Sequence, residues 1–403
     1  MEPGIHQIRE AQSRFAGIIP QSPLVHSGYF SRLFGADIFL KLENLQETGS
    51  FKVRGAFNRL LQLGESEREK GVIAASAGNH AQGVAWAATR LGIGSTIVMP
   101  EDAPLRKRVA VKDYGAKVIL FGTHYSESRA HAADLSRSSG KILIPGFDDP
   151  YVIAGQGTIG LEISEFLEGD TAVIVSVGGG GLISGIAAAV KAIKPSARMI
   201  GVQSKSCPSM IRSLEEGFPV SVDVQSTIAD GIAVNRPGEM NFSMVRKTVD
   251  ELIGVEEESI AGAVLNLLEK ANVVAEGAGA APLAALMEGH ALGKASRYIL
   301  VISGGNIEVN TIDRILHRGS IKMGRVSQIE VNVMDVPGAL WKLLGIIARE
   351  KANVLHIFHD RLDPRNPIEV SRVKLSLETR GHDHAGEILD RLRDAGYPVK
   401  QVR

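Results

Sequence analysis

Lys52 stands between an aromatic residue and a valine in Glu43-Asn44-Leu45-Gln46-Glu47-Thr48-Gly49-Ser50-Phe51-Lys52-Val53-Arg54-Gly55, directly after the turn signal Thr48-Gly49-Ser50. An amine held among packing residues is partly desolvated, which disfavours the ammonium form and lowers its pKa. A neutral amine attacks carbonyl carbon and forms a Schiff base. The same lysine also reads as the opening residue of a helix over 52–63, pointing to water. This stretch alone leaves both readings open.

A second candidate is Gly178-Gly179-Gly180-Gly181, which follows the apolar run Ala172-Val173-Ile174-Val175 and opens a helical pattern at Leu182. Glycines let backbone N–H groups close on an anion, and a helix N-terminus adds a favourable dipole, so the natural ligand is a phosphate. Two nucleotide motifs fail on detail. No Gly-Lys-Ser/Thr follows, and Ile183 stands where the dinucleotide spacing needs glycine. The next strand ends in Gln203 rather than in an acid that would hold a ribose. A turn that only permits close packing is the other reading. Ser76-Ala77-Gly78-Asn79-His80 and Ser303-Gly304-Gly305-Asn306 each follow an apolar run, and each would also serve as a plain capping or glycine turn.

The elements that must position these residues alternate strand and helix. Short apolar runs at 72–75, 95–99, 117–121 and 141–144 are separated by helical patterns, and the rhythm resumes after residue 150 with strands at 171–177, 199–203 and 298–302. Strands at this spacing with helices between them predict parallel sheets with right-handed crossovers, in two α/β subdomains with a cleft between them. Residues 318–328 carry mixed charge and two glycines and read as a linker. Beyond it the order is βαββαβ, a ferredoxin-like α+β unit, with the loop Asp363-Pro364-Arg365-Asn366-Pro367 between its middle strands. The expected division is a body over 1–320, a linker over 321–326 and a separate unit over 327–403.

Composition narrows the function. The chain has 403 residues, 44% of them apolar, which is enough for two or three domains. Its 45 basic residues balance 45 acidic ones, so no overall field attracts nucleic acid or anionic lipid. Cys207 is the one cysteine, which excludes an internal disulfide and fits a reducing compartment, so a cytoplasmic location is expected. The charged start of the chain does not read as a signal peptide, and no apolar run approaches the ~20 residues that span a bilayer.

The four motifs, in the chain order Lys52, Ser76–His80, Gly178–Gly181 and Ser303–Asn306, resemble the serine/threonine dehydratases, pyridoxal-phosphate (PLP) enzymes of the tryptophan-synthase-β-like fold, fold type II. The resemblance covers most of residues 1–320. It implies that Lys52 carries PLP, that Phe51 packs by its ring region, and that Gly178, Gly179, Gly180, Gly181 and Leu182 cradle its phosphate. It further implies that Asn79 hydrogen-bonds the phenolic oxygen, that Ser303 faces the pyridine nitrogen, and that Ser76, Ala77, Gly78, Asn79 and His80 meet the substrate carboxylate. His80 also reads as a structural hydrogen-bonder. Ala77 stands where the family's racemases place a serine, so the second base is absent. Glu276 and Asp230 look like further family elements at the cleft. Some relatives hold a divalent cation on carboxylates where this chain has Gln203 and Ser209, so no such metal is expected. The implied reaction is deamination of L-threonine to 2-oxobutanoate and ammonia. The alternatives are an L-serine dehydratase and an amino-acid-sensing protein without catalysis. Asp335-Val336-Pro337-Gly338-Ala339-Leu340 resembles the effector turn of ACT domains. That implies a regulatory unit binding a branched-chain amino acid through Asp335, Pro337, Gly338, Leu340 and Asn353, in a homodimer or homotetramer.

Overall fold

The computed structural model describes residues 1–290, 293, 295–362 and 367–402; all but Pro367 of the expected 363–367 loop lies outside them. In chain order the strands are β1 (Leu24–His26), β2 (Asp37–Leu42), β3 (Val72–Ala75), β4 (Ser95–Met99), β5 (Lys117–Leu120), β6 (Ile142–Leu143) and β7 (Thr171–Ser176). They continue with β8 (Arg198–Ser204), β9 (Glu251–Val255), β10 (Arg297–Ile302), β11 (Val326–Met334), β12 (Asn353–Asp360), β13 (Val370–Glu378) and β14 (Val399–Val402). The chain divides into two compact units, Met1–Glu308 and Val309–Arg403.

The first unit holds two sheets. One has the order β1-β2-β10-β7-β8-β9 and is parallel except for β1; the other is the parallel β5-β4-β3-β6. β3, β4 and β7 are buried along their whole length, as parallel strands covered by helices on both faces must be. The subdomains do not divide at residue 150. β2 pairs with β10 from Asp37↔Arg297 to Ile302↔Leu42, so the start of the chain belongs to the larger sheet and β3–β6 form an insertion. A short apolar run carries no label for its partner, and here that partner lies some 260 residues away.

The second unit has the sheet order β12-β13-β11-β14, all antiparallel, with helices Ala339–Arg349 and His382–Asp394, which is the ferredoxin-like arrangement. Ile329, Val331, Val373, Leu375, Leu343 and Ile388 belong to its own core. The expected linker is corrected. Helix Val309–Lys322 runs through its start and β11 begins at Val326, leaving only a tight turn at Gly324 with φ +66°. The mixed charge read as a linker is the solvated surface of a helix, in which Ile315 is the buried residue.

One charged cluster inside the first unit fixes where Lys52 begins its helix, Lys52–Leu61. Arg54 donates through Nε and Nη2 to both oxygens of Glu43 at 2.8 Å, and through Nη1 and Nη2 to Glu162 at 2.5 and 2.9 Å. Lys41 on β2 donates to Glu162 at 2.5 Å, and Ser22 donates to Glu43. These four charged side chains are 0–5% exposed. Two cations and two carboxylates cancel, so the cluster is neutral as a set, and removal of any member strands a buried charge. Arg54→Leu is therefore expected to cost about 3–5 kcal/mol of unfolding free energy, read as a lower urea midpoint.

Candidate active site

The loops that follow β2, β3, β7 and β10 lie at the carboxyl ends of parallel strands, where open α/β sheets bind ligands. Each of the four motifs of the first unit sits on or directly after one of these loops. After β2 the chain makes a short 3-10 turn, Glu43–Leu45, then the turn at Gly49 with φ +69°, and reaches Lys52 at the first position of its helix. The loop after β10 braces this turn. Phe51 N–H donates to Ser303 O at 3.0 Å, and Gly305 N–H donates to Gly49 O at 2.9 Å.

Lys52 is half-buried along its length, with its amine enclosed. Nζ donates to Gly146 O at 2.8 Å and lies 5.1 Å from the Phe51 ring centroid. Burial pushes the amine down to about 8, against the opposing pull of Glu276. His80 is the second residue of the helix Asn79–Arg90 and donates through Nε2 to Ile144 O at 3.0 Å, since a carbonyl only accepts. Burial, and then the positive charge of Lys52, hold its imidazole down at about 4. His80 is thus a neutral structural hydrogen-bonder at physiological pH.

The tetraglycine leads from β7 into helix Gly181–Ile193. None of the N–H groups of residues 178–183 donates to a protein acceptor among the described residues. Side chains are excluded there by close packing. A Cβ on Gly179 would fall 2.5 Å from the Phe147 ring, and one on Gly181 would fall 2.9 Å from Phe147 O. Gly180 has φ +97°, which side chains other than hydrogen rarely accept. A row of unpartnered N–H donors at a helix N-terminus is the donor set a phosphate needs. Gly146 and Phe147 join the two halves of the site: one accepts from Lys52 and the other roofs the tetraglycine. Sequence reading missed both, because Pro145-Gly146-Phe147 carries no chemical motif.

In the loop after β3, Gly78 N–H donates to Ser76 Oγ at 3.1 Å, while the N–H groups of Ala77, Asn79 and His80 have no acceptor among the described residues. Asn79 Nδ2 donates to Glu276 Oε1 at 2.7 Å, and Asn79 Oδ1 accepts from Asn306 Nδ2 at 2.8 Å. Burial first, and then Asp230, push the Glu276 carboxyl up to about 7, although Asn79, Lys107 and Lys52 pull the other way. Asp230 accepts from Lys107 at 2.9 Å. Ser303 is buried, and its hydroxyl takes no hydrogen bond among the described residues. Glu276 is thereby tied to the site, and Asn306 and Lys107 join it.

Two sets of predicted residues lie elsewhere. Gln203 Oε1 accepts from the N–H groups of Met210 and Ile211 at 3.0 and 2.9 Å, and Ser209 donates to Val234 O at 2.6 Å, so both side chains serve the start of helix Ser209–Glu216. In the second unit Asp335 follows β11 and forms a two-pronged ion pair with Arg361 at 2.9 and 3.0 Å. Pro337 and Gly338, the latter at φ +84°, turn the chain into helix Ala339–Arg349, where Leu340 packs on the core. Asn353 is not with them. β11 and β12 both run antiparallel to β13, so Asn353 lies level with Val326, across Glu378, at the far end of the sheet from Met334. Eight residues of strand at about 3.3 Å each put the two ends about 25 Å apart.

The donor set fits a phosphorylated aldehyde cofactor. An amine of lowered pKa, six unpartnered N–H groups, a buried hydroxyl and a braced amide lie on four neighbouring loops. The comparisons with known proteins agree. Residues 16–304 match the family model described as pyridoxal-phosphate dependent enzyme. The chain is 49% identical over 398 residues to an L-threonine ammonia-lyase of Thermotoga maritima, covering 99% of each chain. Among solved structures, the processed threonine deaminase isoform 2 of Solanum lycopersicum is 35% identical, with a TM-score of 0.75 over 80% of this chain and 91% of that one. Maize serine racemase is 34% identical, with a TM-score of 0.74 over 80% and 99%.

The two shifted groups give the cofactor-free protein opposite pH slopes. Lys52 is lowered from 10.5 to about 8, so its contribution to stability is present above 10.5 and is lost as pH falls through 8. Glu276 is raised from 4.5 to about 7, so its contribution is present below 4.5 and is lost as pH rises through 7. Urea midpoints measured against pH are expected to lose the first slope in Lys52→Met and the second in Glu276→Gln.

Proposed function

The chain belongs to the family of pyridoxal-phosphate dependent enzymes, and we propose that within it the protein is an L-threonine ammonia-lyase, which converts L-threonine to 2-oxobutanoate and ammonia. The observation that carries this reading is Lys52 Nζ on Gly146 O, one residue from the Phe147 that roofs the unpartnered tetraglycine N–H groups.

When bound, PLP supplies an electrophilic carbon and a conjugated ring that takes up the electron pair released at the substrate Cα. This chain's residues do the rest. Lys52 would hold the aldehyde carbon, and its amine, once free, would take the Cα proton. Burial disfavours the ammonium form of this amine and so favours the neutral form that accepts a proton. The N–H groups of residues 178–183 would hold the phosphate, Phe51 would pack by the ring, and Ser303 would offer its hydroxyl to the pyridine nitrogen. A hydroxyl, unlike a carboxylate, does not keep that nitrogen protonated, which favours prompt β-elimination. The N–H groups of Ala77, Asn79 and His80 take the substrate carboxylate at the start of helix Asn79–Arg90. The β-hydroxyl would leave as water, its added proton balanced by the one Lys52 takes from Cα, and the enamine product would take up water to give the keto acid and ammonia. Ala77 offers no proton to the face opposite Lys52, so elimination outruns racemisation. Lys52→Ala is expected to lose both the visible cofactor absorbance and keto-acid production. Wild-type protein assayed on serine is expected to leave little D-serine by chiral analysis. Full turnover by Lys52→Ala would falsify the assignment.

The second unit is proposed to be an ACT regulatory domain for a branched-chain amino acid, isoleucine first and valine second, in a cytoplasmic homo-oligomer. Its ferredoxin-like order and the Asp335–Leu340 turn support this. A site using both that turn and Asn353 requires two copies, because one copy holds them at opposite ends of the sheet. Deleting the chain after Gly324 is expected to leave turnover and abolish the response to isoleucine or valine. An effector acts only through unequal affinity for two states, so an intact enzyme that gives neither calorimetric heat nor a kinetic change with any branched-chain amino acid would limit the unit to assembly.

A further inference from the structure

Side-chain amides look alike from either end, and an amide that must donate has to be held against rotation. Around Asn79 the hydrogen bonds form a directed chain whose origin is a backbone carbonyl. Thr48 O can only accept. Asn306 therefore turns Nδ2 toward it at 2.8 Å, and the same nitrogen donates its other proton to Asn79 Oδ1 at 2.8 Å. With Oδ1 committed, Asn79 directs Nδ2 to Glu276 Oε1 at 2.7 Å. Flipping Asn79 would face oxygen with oxygen at Glu276 and nitrogen with nitrogen at Asn306. Its remaining Nδ2–H has no acceptor among the described residues.

Glycine makes room for both ends of this chain. A Cβ on Gly49, which sits at φ +69°, would fall 2.5 Å from Asn306 Oδ1. A Cβ on Gly304 would fall 2.6 Å from Glu276 Oε1 and 3.2 Å from Asn79 Nδ2. The chain also connects the turn before Lys52 to the loops after β3 and β10 and to the N-cap of helix Gly277–Met287.

We propose that Asn306 and Glu276 are positioning residues that, with the Thr48 carbonyl, lock the Asn79 amide so that it presents one fixed N–H donor to the phenolic oxygen of the cofactor. This rests on the PLP reading above. Neither residue touches the reacting atoms; each acts through Asn79.

The test titrates cofactor-stripped protein with PLP, following the dissociation constant and the share of absorbance in the visible band at pH 8, with thermal melts alongside. Asn306→Asp has the size of asparagine but cannot donate to Thr48 O or Asn79 Oδ1. It is expected to weaken PLP binding on the order of tenfold and to lower the visible share, because the phenolic oxygen loses a donor that stabilises its charged form. Asn306→Ala and Glu276→Leu are expected to do the same. Glu276→Gln keeps an oxygen for Asn79 Nδ2 and is expected to stay within about twofold of wild type. A purely structural role would lower melting temperatures without this separation of Gln from Leu. Wild-type affinity and spectrum in both Asn306 variants would overturn the proposal, as would equal effects of Glu276→Gln and Glu276→Leu. Wild-type protein that takes up no PLP would instead overturn the cofactor reading itself, a separate and visible result.

Discussion

Arg54 holds Lys52 in place from two residues away. Its guanidinium spans two carboxylates, one on the turn after β2 and one on the helix Pro150–Ile163, and Lys41 completes the charge balance. A planar fork with five N–H donors can satisfy both acids at once, which a lysine at this position could not do. The cost of taking four charges from water is offset only if all four stay together, so the cluster tolerates one arrangement of β2, the Glu43 turn and two helices. Close helix contact reinforces it: a Cβ on Gly155 would fall 2.6 Å from Arg54 O, and one on Gly55 would fall 2.2 Å from Gln156 Nε2. The Lys52 helix is thus anchored by charge and by contact before any cofactor arrives.

That anchoring sets the electrostatics of the cleft. Lys52 is pressed toward neutrality by burial, and its residual charge is felt by His80, which stays neutral, and by Glu276. Glu276 is in turn raised by burial and by Asp230. The site therefore holds an amine and a carboxyl whose pKa values have moved toward each other, near 8 and 7. Displaced values of this kind are typical of groups placed for chemistry, and here they coincide with the strand ends where geometry already locates the site. The same comparison separates Lys52 from His80, because burial that makes an amine reactive makes this imidazole inert as an acid.

The second unit is built on different terms. Its sheet is antiparallel, with one face on its own core, and β12 lies at the edge with Leu355, Ile357 and Phe358 exposed. Its candidate effector residues separate because strand direction, not sequence distance, decides which ends meet. Asn353 follows Leu340 by 13 positions yet lies a sheet length away from the turn, while Arg361, further along the chain, reaches Asp335.

Much of this was legible in the residues. The Lys52 stretch, the tetraglycine, the Asn79 loop and the Ser303 loop each announce a local conformation, because turns, helix starts and apolar runs depend on near neighbours. The αβ alternation and the βαββαβ tail follow from periodicity for the same reason. What the sequence could not specify was which of these distant pieces meet. β2 beside β10, Phe147 over Gly179, Asn306 on Asn79, and Arg54 between Glu43 and Glu162 are contacts between residues whose types alone name no partner. The linker failed as an expectation because charge marks exposure, and an exposed helix has the composition of a linker. Sequence by itself determined the chemical groups available and the local turns that carry them. Tertiary structure alone decided their protonation and orientation, since burial, neighbouring charge and a carbonyl such as Thr48 O act through space on groups far apart in the chain.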